Sequence, residues 1–568
     1  MPRRFVPGAE AVRVIREDLI SALERAAASL GLPPVDDLTL EVPRQREHGD
    51  WSSNLAMRCA KVVGRNPREL ASEIVEHLQG AALEHVREIG IAGPGFVNFH
   101  LEPSWVHDVV RDIVDAGTRF GTSQSLAGRR INLEFVSANP TGPLHAGGGR
   151  WIATGDAIAN LLAAQGAHVH REYYVNDTGN QLRNLEASLA SRYRGTPFPD
   201  DGYVGQYVTE LADELRDQHG DDLADGDLCE LGLERILDAI KQDVARVGVH
   251  FDTWFSERTL HDRGDVDAVL GSLRANDATY VHEGAEWLRT TALGDARDRV
   301  LVKADGTKTY LCNDLAYHRD KFARGYTHLI NIWGSDHHGQ VKSLQAGVEL
   351  LTGRSGEPEI ILGQLVKLLR GGEEVKISKR SGNIISLADI LDEVDGDVAR
   401  MTFLLQGLDT RQTFDLDLVT SQAMDNPVYY VQMAHARIAS IARKAAEHGV
   451  VRAPLAGVDL SVLVHEREVE ALRKLAIYPD VVAAAATERA PHKVAHWAHD
   501  FSGAFHGFYH DCRVIGVEPE LTQARLWFNE ACRIGLANAL GVLGVRAPDQ
   551  MARIDGDDAD SHDGDFAD

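Results

Sequence analysis

A turn rich in glycine and proline, set between an apolar strand and a helix, constrains this chain more than any other feature. INLEFVSA from Ile131 reads as a buried strand, NPTGPLHAGGG breaks it, residues 150 to 165 are helical until Gly166, and AHVHREYYV is again a strand. Strand, helix, strand in that order is a βαβ unit, and its right-handed crossover builds a doubly wound parallel sheet. In such sheets ligands sit where the carboxyl ends of strands meet helix N-termini, so the site is expected around Asn139 to Gly149.

The remainder of the 568 residues is too long for one hydrophobic core. Apolar residues at helical spacing (Val12, Ile15, Leu19, Leu23) open the chain, and Gly31, Pro33 and Pro34 stop that helix. In VREIGIAGPGFVNFHL the Gly93-Pro94-Gly95 turn joins two strands, which gives a small α+β domain over 1–105. A Rossmann-like catalytic domain is expected over 106–400, carrying a polar helical insertion at about 181–275 before sheet patterns resume near Trp287. Past Met424 the segments are amphipathic helices, so 401–551 reads as an α-helical bundle, and 552–568 as an acidic disordered tail.

Five widely spaced cysteines with no C-x-x-C pattern give no reason to expect a structural zinc site. No apolar run is long enough to cross a bilayer and no signal peptide opens the chain, so the expectation is a cytoplasmic protein without a membrane partner. A net charge of −26 opposes polyanionic partners on average, yet acidic residues concentrate in 218–228 and in the tail, leaving room for basic patches elsewhere.

Three loops that follow strands carry the chemistry. In the first, Pro140 and Pro143 preset the backbone, Gly147, Gly148 and Gly149 open the helix start to phosphate, and His145 could donate to a phosphate oxygen. The second lies in VKLLRGGEEVKISKRSGNIISLADIL, a hairpin turning at Gly371 and Gly372, then a loop, then a helix capped by Ser386 with Asp389. Only twelve lysines occur in the chain, and Lys376 and Lys379 stand three apart beside Arg380, where point charges suit a transferring phosphate. The third, WGSDHHGQVK, follows the strand HLINI; its adjacent His337 and His338 lack the third ligand a metal needs.

HAGG and KISKR, about 230 residues apart, resemble the two signature motifs of class I aminoacyl-tRNA synthetases, HIGH and KMSKS. EFVSANPTGPLHAGGGR, EYYVNDTGNQ, DNPVYYVQMAHARI, EHGDWSSNLAMRCAK and GPGFVNFHL are each similar to segments of arginyl-tRNA synthetases and span nearly the whole chain. The resemblance implies ATP-dependent activation of L-arginine, with Mg²⁺ accompanying the nucleotide, and transfer to the terminal adenosine of tRNA(Arg); a monomer is the expectation, though the sequence itself does not give the oligomeric state. The resemblance assigns ATP to Pro143, Leu144, His145, Ala146, Gly147, Gly148, Gly149 and to Lys376, Ile377, Ser378, Lys379, Arg380, with His145, Lys376 and Lys379 catalytic. It assigns arginine to Glu134, Ser137, Asn139, Tyr310, Asp314, Asp336, His338 and Gln340. A carboxylate and an aromatic wall are the partners a planar, permanently charged guanidinium needs. For tRNA it implies Tyr429, Tyr430, Gln432, His435 and Arg437 on the first bundle helix, with aromatics to stack bases and arginine to meet phosphate. Gly148 stands where HIGH has its second histidine, and Arg380 where KMSKS ends in serine. Rivals are a class I synthetase for another amino acid and a noncatalytic tRNA-binding relative.

Overall fold

A computed structural model describes residues 10–551, apart from 37, 39, 44, 82, 103, 376–384 and 422. The N-terminal unit starts with the helix Glu10–Ser29 and builds an antiparallel three-stranded sheet in which Phe96–Leu101 lies between Trp51–Ser53 and Val86–Ala92. Helix Pro67–Gln79 packs on it, started by Asn66, whose side chain accepts from the N–H of Arg68 and Glu69, and by Pro67 in the first turn. Gly95, at φ +138°, belongs in that hairpin: a Cβ there would lie 2.8 Å from the Pro67 carbonyl oxygen.

The central sheet holds five parallel strands: β1 (Arg130–Glu134), β2 (His168–Val175), β3 (Thr253–Ser256), β4 (His328–Gly334) and β5 (Glu359–Gly363), in the order β5-β4-β1-β2-β3. Helix α1 (Gly148–Ala164) is the crossover from β1 to β2. Strand order reverses between β1 and β4, the place where open parallel sheets take ligands at the carboxyl ends of their strands. Helices α2 (Tyr310–Ala323) and α3 (His338–Thr352) flank β4 in sequence. The doubly wound expectation holds, with one addition inside 181–275. That segment forms the helices Gly179–Arg194, Gln206–His219 and Asp225–Arg246, but also β3, the sheet's edge strand. Four residues are too few to display an alternation beside such long helices.

From Pro427 on, the described residues form five α-helices, Pro427–Glu447, Glu466–Ala476, Tyr478–Glu488, His492–Asp511 and Pro519–Leu543. Phe501, Phe505 and Phe508 recur at helical spacing and are fully buried, Phe508 meeting Phe528 at 4.5 Å between ring centroids. Among the described residues no helix is long and apolar enough to cross a membrane.

Two fully buried arginines tie these units to α1. Arg150 donates to the carbonyls of Gln364 (3.0 Å) and Gly407 (2.7 Å), and burial pulls its guanidinium down to about 10. Arg400 pairs with Asp156 of α1 and donates to Leu543 O (2.6 Å) at the end of the last helix and to Val247 O (3.3 Å). Asp156 also takes Arg171 Nε at 2.7 Å. Removing one member of a buried, hydrogen-bonded pair strands the other, at a cost of about 3–5 kcal/mol. Arg400→Met should therefore lower the urea midpoint of unfolding markedly, whereas Arg437→Met, on a partly exposed site, should leave it nearly unchanged.

Candidate active site

The loop leaving β1 passes twice through the left-handed region, at Val136 (φ +70°) and Ser137 (φ +39°). Neither residue is glycine, so neighbouring contacts must hold the bend. The bend aims the Ser137 hydroxyl, which donates to Glu134 Oε1 at 3.0 Å and accepts from Tyr174 N at 3.1 Å. Glu134 ends β1, is buried, and through Oε2 accepts Lys321 Nζ at 2.7 Å. Asn139, half-buried, follows, with its carbonyl accepting Thr141 N at 2.8 Å.

His145 Nδ1 accepts the Gly147 N–H at 2.8 Å, so in the neutral ring the proton sits on Nε2. The three glycines differ in what they permit, and none has a positive φ. A Cβ on Gly149 would lie 2.6 Å from the Phe403 ring and 2.9 Å from Leu387, and one on Gly147 would come within 3.0 Å of His145 Nδ1. On Gly148, among the described residues, it would meet only Leu144, at 3.9 Å. Gly149 is thus required by the packing of α1, whereas among the described residues Gly148 has room for a Cβ.

The first loop is stitched to the segment that follows the second. Ala146 N donates to Ile385 O at 3.1 Å, and Leu387 N donates to Leu144 O at 2.7 Å. Ser386 then caps Leu387–Glu393 in a reciprocal box with Asp389, as the spacing predicts. Lys376, Ile377, Ser378, Lys379 and Arg380 lie outside the described residues.

Tyr310 and Asp314 stand one turn apart on α2 and line a cavity of about 230 Å³, together with Arg299, Thr309, Trp333 and Gln340. Burial, then the like charges of Glu134 and Glu257, push the Asp314 carboxyl up to about 7, against the pull of Lys321. Glu257 comes directly after β3, is 2% exposed, and accepts from Thr178 Oγ1 and Asn313 Nδ2, each at 2.7 Å. Burial and the neighbouring Glu257 and Asp314 charges hold the Tyr174 phenol well above its ordinary value. Carboxylates from the ends of β1 and β3 and from α2 therefore converge; Lys321 pairs with Glu134, and the repulsion that remains at Asp314 is relieved when a further cation arrives.

Sequence reasoning missed Glu257 and Lys321. A carboxylate ending a strand, as Glu134 does, is the signal that finds Glu257 once β3 is recognised. Asp336 and His338 are exposed and not among the residues lining the cavity, whereas Gln340 lines it.

Of the five residues expected to meet tRNA, two are buried. Tyr429 and His435 are 7% and 2% exposed, and His435 Nδ1 donates to Pro548 O at 2.9 Å. Their helix packs against both His492–Asp511 and Pro519–Leu543, so its buried stripe is wide. Tyr430 is partly exposed and stacks on His499 at 4.9 Å between centroids. Gln432 donates to Arg546 O at 3.3 Å, and Arg437 lies 3.1 Å from His506 Nδ1.

Comparison with known proteins converges on one family. Family models described as arginyl tRNA synthetase N terminal domain, tRNA synthetases class I (R) catalytic domain, and DALR anticodon binding domain match residues 13–101, 206–439 and 431–551. An arginine–tRNA ligase of Heliobacterium modesticaldum is 43% identical over 557 residues, covering 95% of this chain and 99% of its own. One from Geobacillus thermodenitrificans is 43% identical over 94% and 99%. The solved arginyl-tRNA synthetase of Thermus thermophilus shares the fold at a TM-score of 0.75 and 21% identity, over 94% of this chain and all of that one. From its N-terminal domain through its helical bundle, the chain belongs to the arginyl-tRNA synthetase family of class I.

Proposed function

We propose how this chain, an arginine–tRNA ligase, uses its crevice. The carrying observation is the closeness of Glu134 and Glu257 to Asp314, which lines the cavity: three carboxylates for a substrate with two positive groups. Asp314 and Glu257 receive the guanidinium, with Tyr310 as a wall at the mouth, and Glu134 takes the α-ammonium. Ser137 holds Glu134, and Asn139 offers its amide to the carboxylate; Gln340, beside Asp314, borders the side chain.

MgATP enters as the nucleotide substrate, with its phosphates against the start of α1. An arginine carboxylate oxygen attacks the α-phosphorus in line, the new O–P bond forms, and pyrophosphate leaves with Mg²⁺. His145 donates through Nε2 to phosphate oxygen. By the family resemblance, Lys376 and Lys379 supply the charges that offset the departing group. The 2′-hydroxyl of the terminal adenosine then attacks the adenylate's carbonyl carbon, expelling AMP and leaving the arginyl ester. The work divides at the boundaries read from sequence: 1–105 and 401–551 hold tRNA, through Tyr430, Gln432 and Arg437 on the first bundle helix, and 106–400 performs the chemistry. The single chain acts in the cytoplasm.

The test is aminoacylation of total tRNA with each amino acid across a range of pH. Only arginine should be esterified. Because Asp314 must be ionised to receive a guanidinium and titrates at about 7, kcat/KM for arginine should rise about tenfold from pH 6 to pH 8. A flat profile, or charging with another amino acid, would remove Asp314 from guanidinium recognition.

A further inference from the structure

Beneath the pocket lies a lysine that neither step of the reaction uses. Lys321, in the last turn of α2, is fully buried, with Nζ 2.7 Å from Glu134 Oε2, 3.4 Å from Asn331 Oδ1 and 4.1 Å from the centroid of the Tyr317 ring. We propose that Lys321 is a positioning residue for arginine recognition: it fixes the Glu134 carboxylate for the substrate's α-ammonium and sets the charge balance of the acidic pocket. The inference rests on the reading that Glu134 binds that ammonium.

The hydrogen bonds around Lys321 leave one consistent assignment. An ammonium only donates, so Asn331 must turn its Oδ1 toward it and its Nδ2 toward His318 Nε2, 2.8 Å away. Nε2 therefore accepts, and the His318 proton sits on Nδ1, which donates to Asp314 O at 2.7 Å. Burial and Lys321 push His318 down to about 3, so the ring stays neutral at working pH. A single polarised line thus runs from the residue assigned to the α-ammonium to the backbone of the residue assigned to the guanidinium. Glu134 Oε1 is held separately by Ser137 at 3.0 Å, and each carboxylate oxygen keeps a lone pair for substrate.

An apolar pair of similar volume would hold α2 against β1 as well as this buried ion pair does. What the pair adds is an oriented carboxylate and a fixed positive charge. Asp314 feels that charge against Glu134 from β1 and Glu257 from the end of β3, with the Tyr174 phenol on β2 and neutral His318 on α2 nearby. Arg299, on the cavity's other wall, is taken up by Asp295 at 2.7 Å.

The test uses full-length protein with saturating tRNA and compares Glu134→Gln, Lys321→Met and the double variant. Arginine kcat, KM and the pH profile of kcat/KM are measured beside the unfolding midpoint. Lys321→Met should raise the arginine KM about tenfold to a hundredfold, the worth of a charge-assisted contact, with ATP KM unchanged within about twofold. The inflection should move above the wild-type value. Glu134→Gln should also raise KM but move the inflection below it, having lost a negative neighbour. In the double variant, which buries no lone charge, the inflection should return toward wild type while KM stays high.

A double variant that titrates like Glu134→Gln would overturn the inference, because Lys321 would then set no charge balance. So would a folded Lys321→Met with wild-type KM and inflection. If Glu134→Gln itself keeps the wild-type arginine KM, the assignment of Glu134 to the α-ammonium fails instead, and the two failures are told apart.

Discussion

Asp314→Asn should reduce kcat/KM for arginine about 10²- to 10³-fold, almost wholly through KM, and abolish the rise with pH. Asparagine keeps the shape and one acceptor, so the cavity survives while the charge does not. A guanidinium brought out of water then faces Glu257 alone, and losing one member of a buried charge pair costs about 3–5 kcal/mol. The contact exists before and during phosphoryl transfer, so its loss falls on binding and leaves kcat nearly intact. Stability should move the other way. The folded-state carboxyl titrates at about 7 against 3.8 for an ordinary aspartate. Its stabilising neutral form prevails at low pH, and stability is lost as pH rises from about 4 through 7. The asparagine variant should thus unfold at a higher denaturant concentration than wild type at pH 8, with the difference vanishing below pH 4. A variant both weaker in arginine binding and less stable at pH 8 would mean that Asp314 is a structural group.

That opposition of stability and binding recurs around the crevice. Val136 and Ser137 hold left-handed backbone without glycine, and two further carboxylates crowd Asp314 at the cavity wall. Residues chosen for folding alone would do neither. Such concentration of unfavourable terms at the strand ends is physical support for substrate binding there, independent of any family likeness.

How much of this is legible in the sequence follows from the range of the interactions. Local signals are readable. The glycine and proline turn locates the β1–α1 junction, Gly166 ends α1 within two residues, and Ser386 with Asp389 announces a capping box that is present. The i, i+4 spacing of Tyr310 and Asp314 does put both on one cavity. What depends on distant partners is not readable. Glu257 reads as one acid among many until its strand joins the sheet beside β2. Lys321 looks like a solvated charge on a polar helix, yet is sealed by Glu134 from 187 residues away. The burial of Tyr429 and His435 is not readable because an isolated helix does not reveal how many neighbours cover it; the helices Gly396–Leu404, His492–Asp511 and Pro519–Leu543 do.

The loop before α1 supplies the other large effect. His145→Ala should lower the rate of adenylate formation about 10²- to 10³-fold while arginine KM changes little, since a preorganised donor to developing charge acts in the transition state. The ring is preorganised by the Gly147 N–H, which occupies Nδ1 at 2.8 Å and commits the proton to Nε2. The neighbouring glycines separate this role from simple packing. Gly148→Ala, whose Cβ would meet only Leu144 at 3.9 Å among the described residues, should keep activity within a few-fold of wild type. Gly149→Ala would drive a methyl to 2.6 Å from Phe403 and 2.9 Å from Leu387, so it should destabilise the fold by about 1–3 kcal/mol. Because the Leu387 N–H itself bonds the Leu144 carbonyl, that same methyl should also slow activation by displacing the first loop. Pyrophosphate exchange with tRNA present reads all three. Equal losses for Gly148→Ala and His145→Ala would show that the loop acts through its backbone shape alone, and the proton donor to phosphate would have to be sought elsewhere.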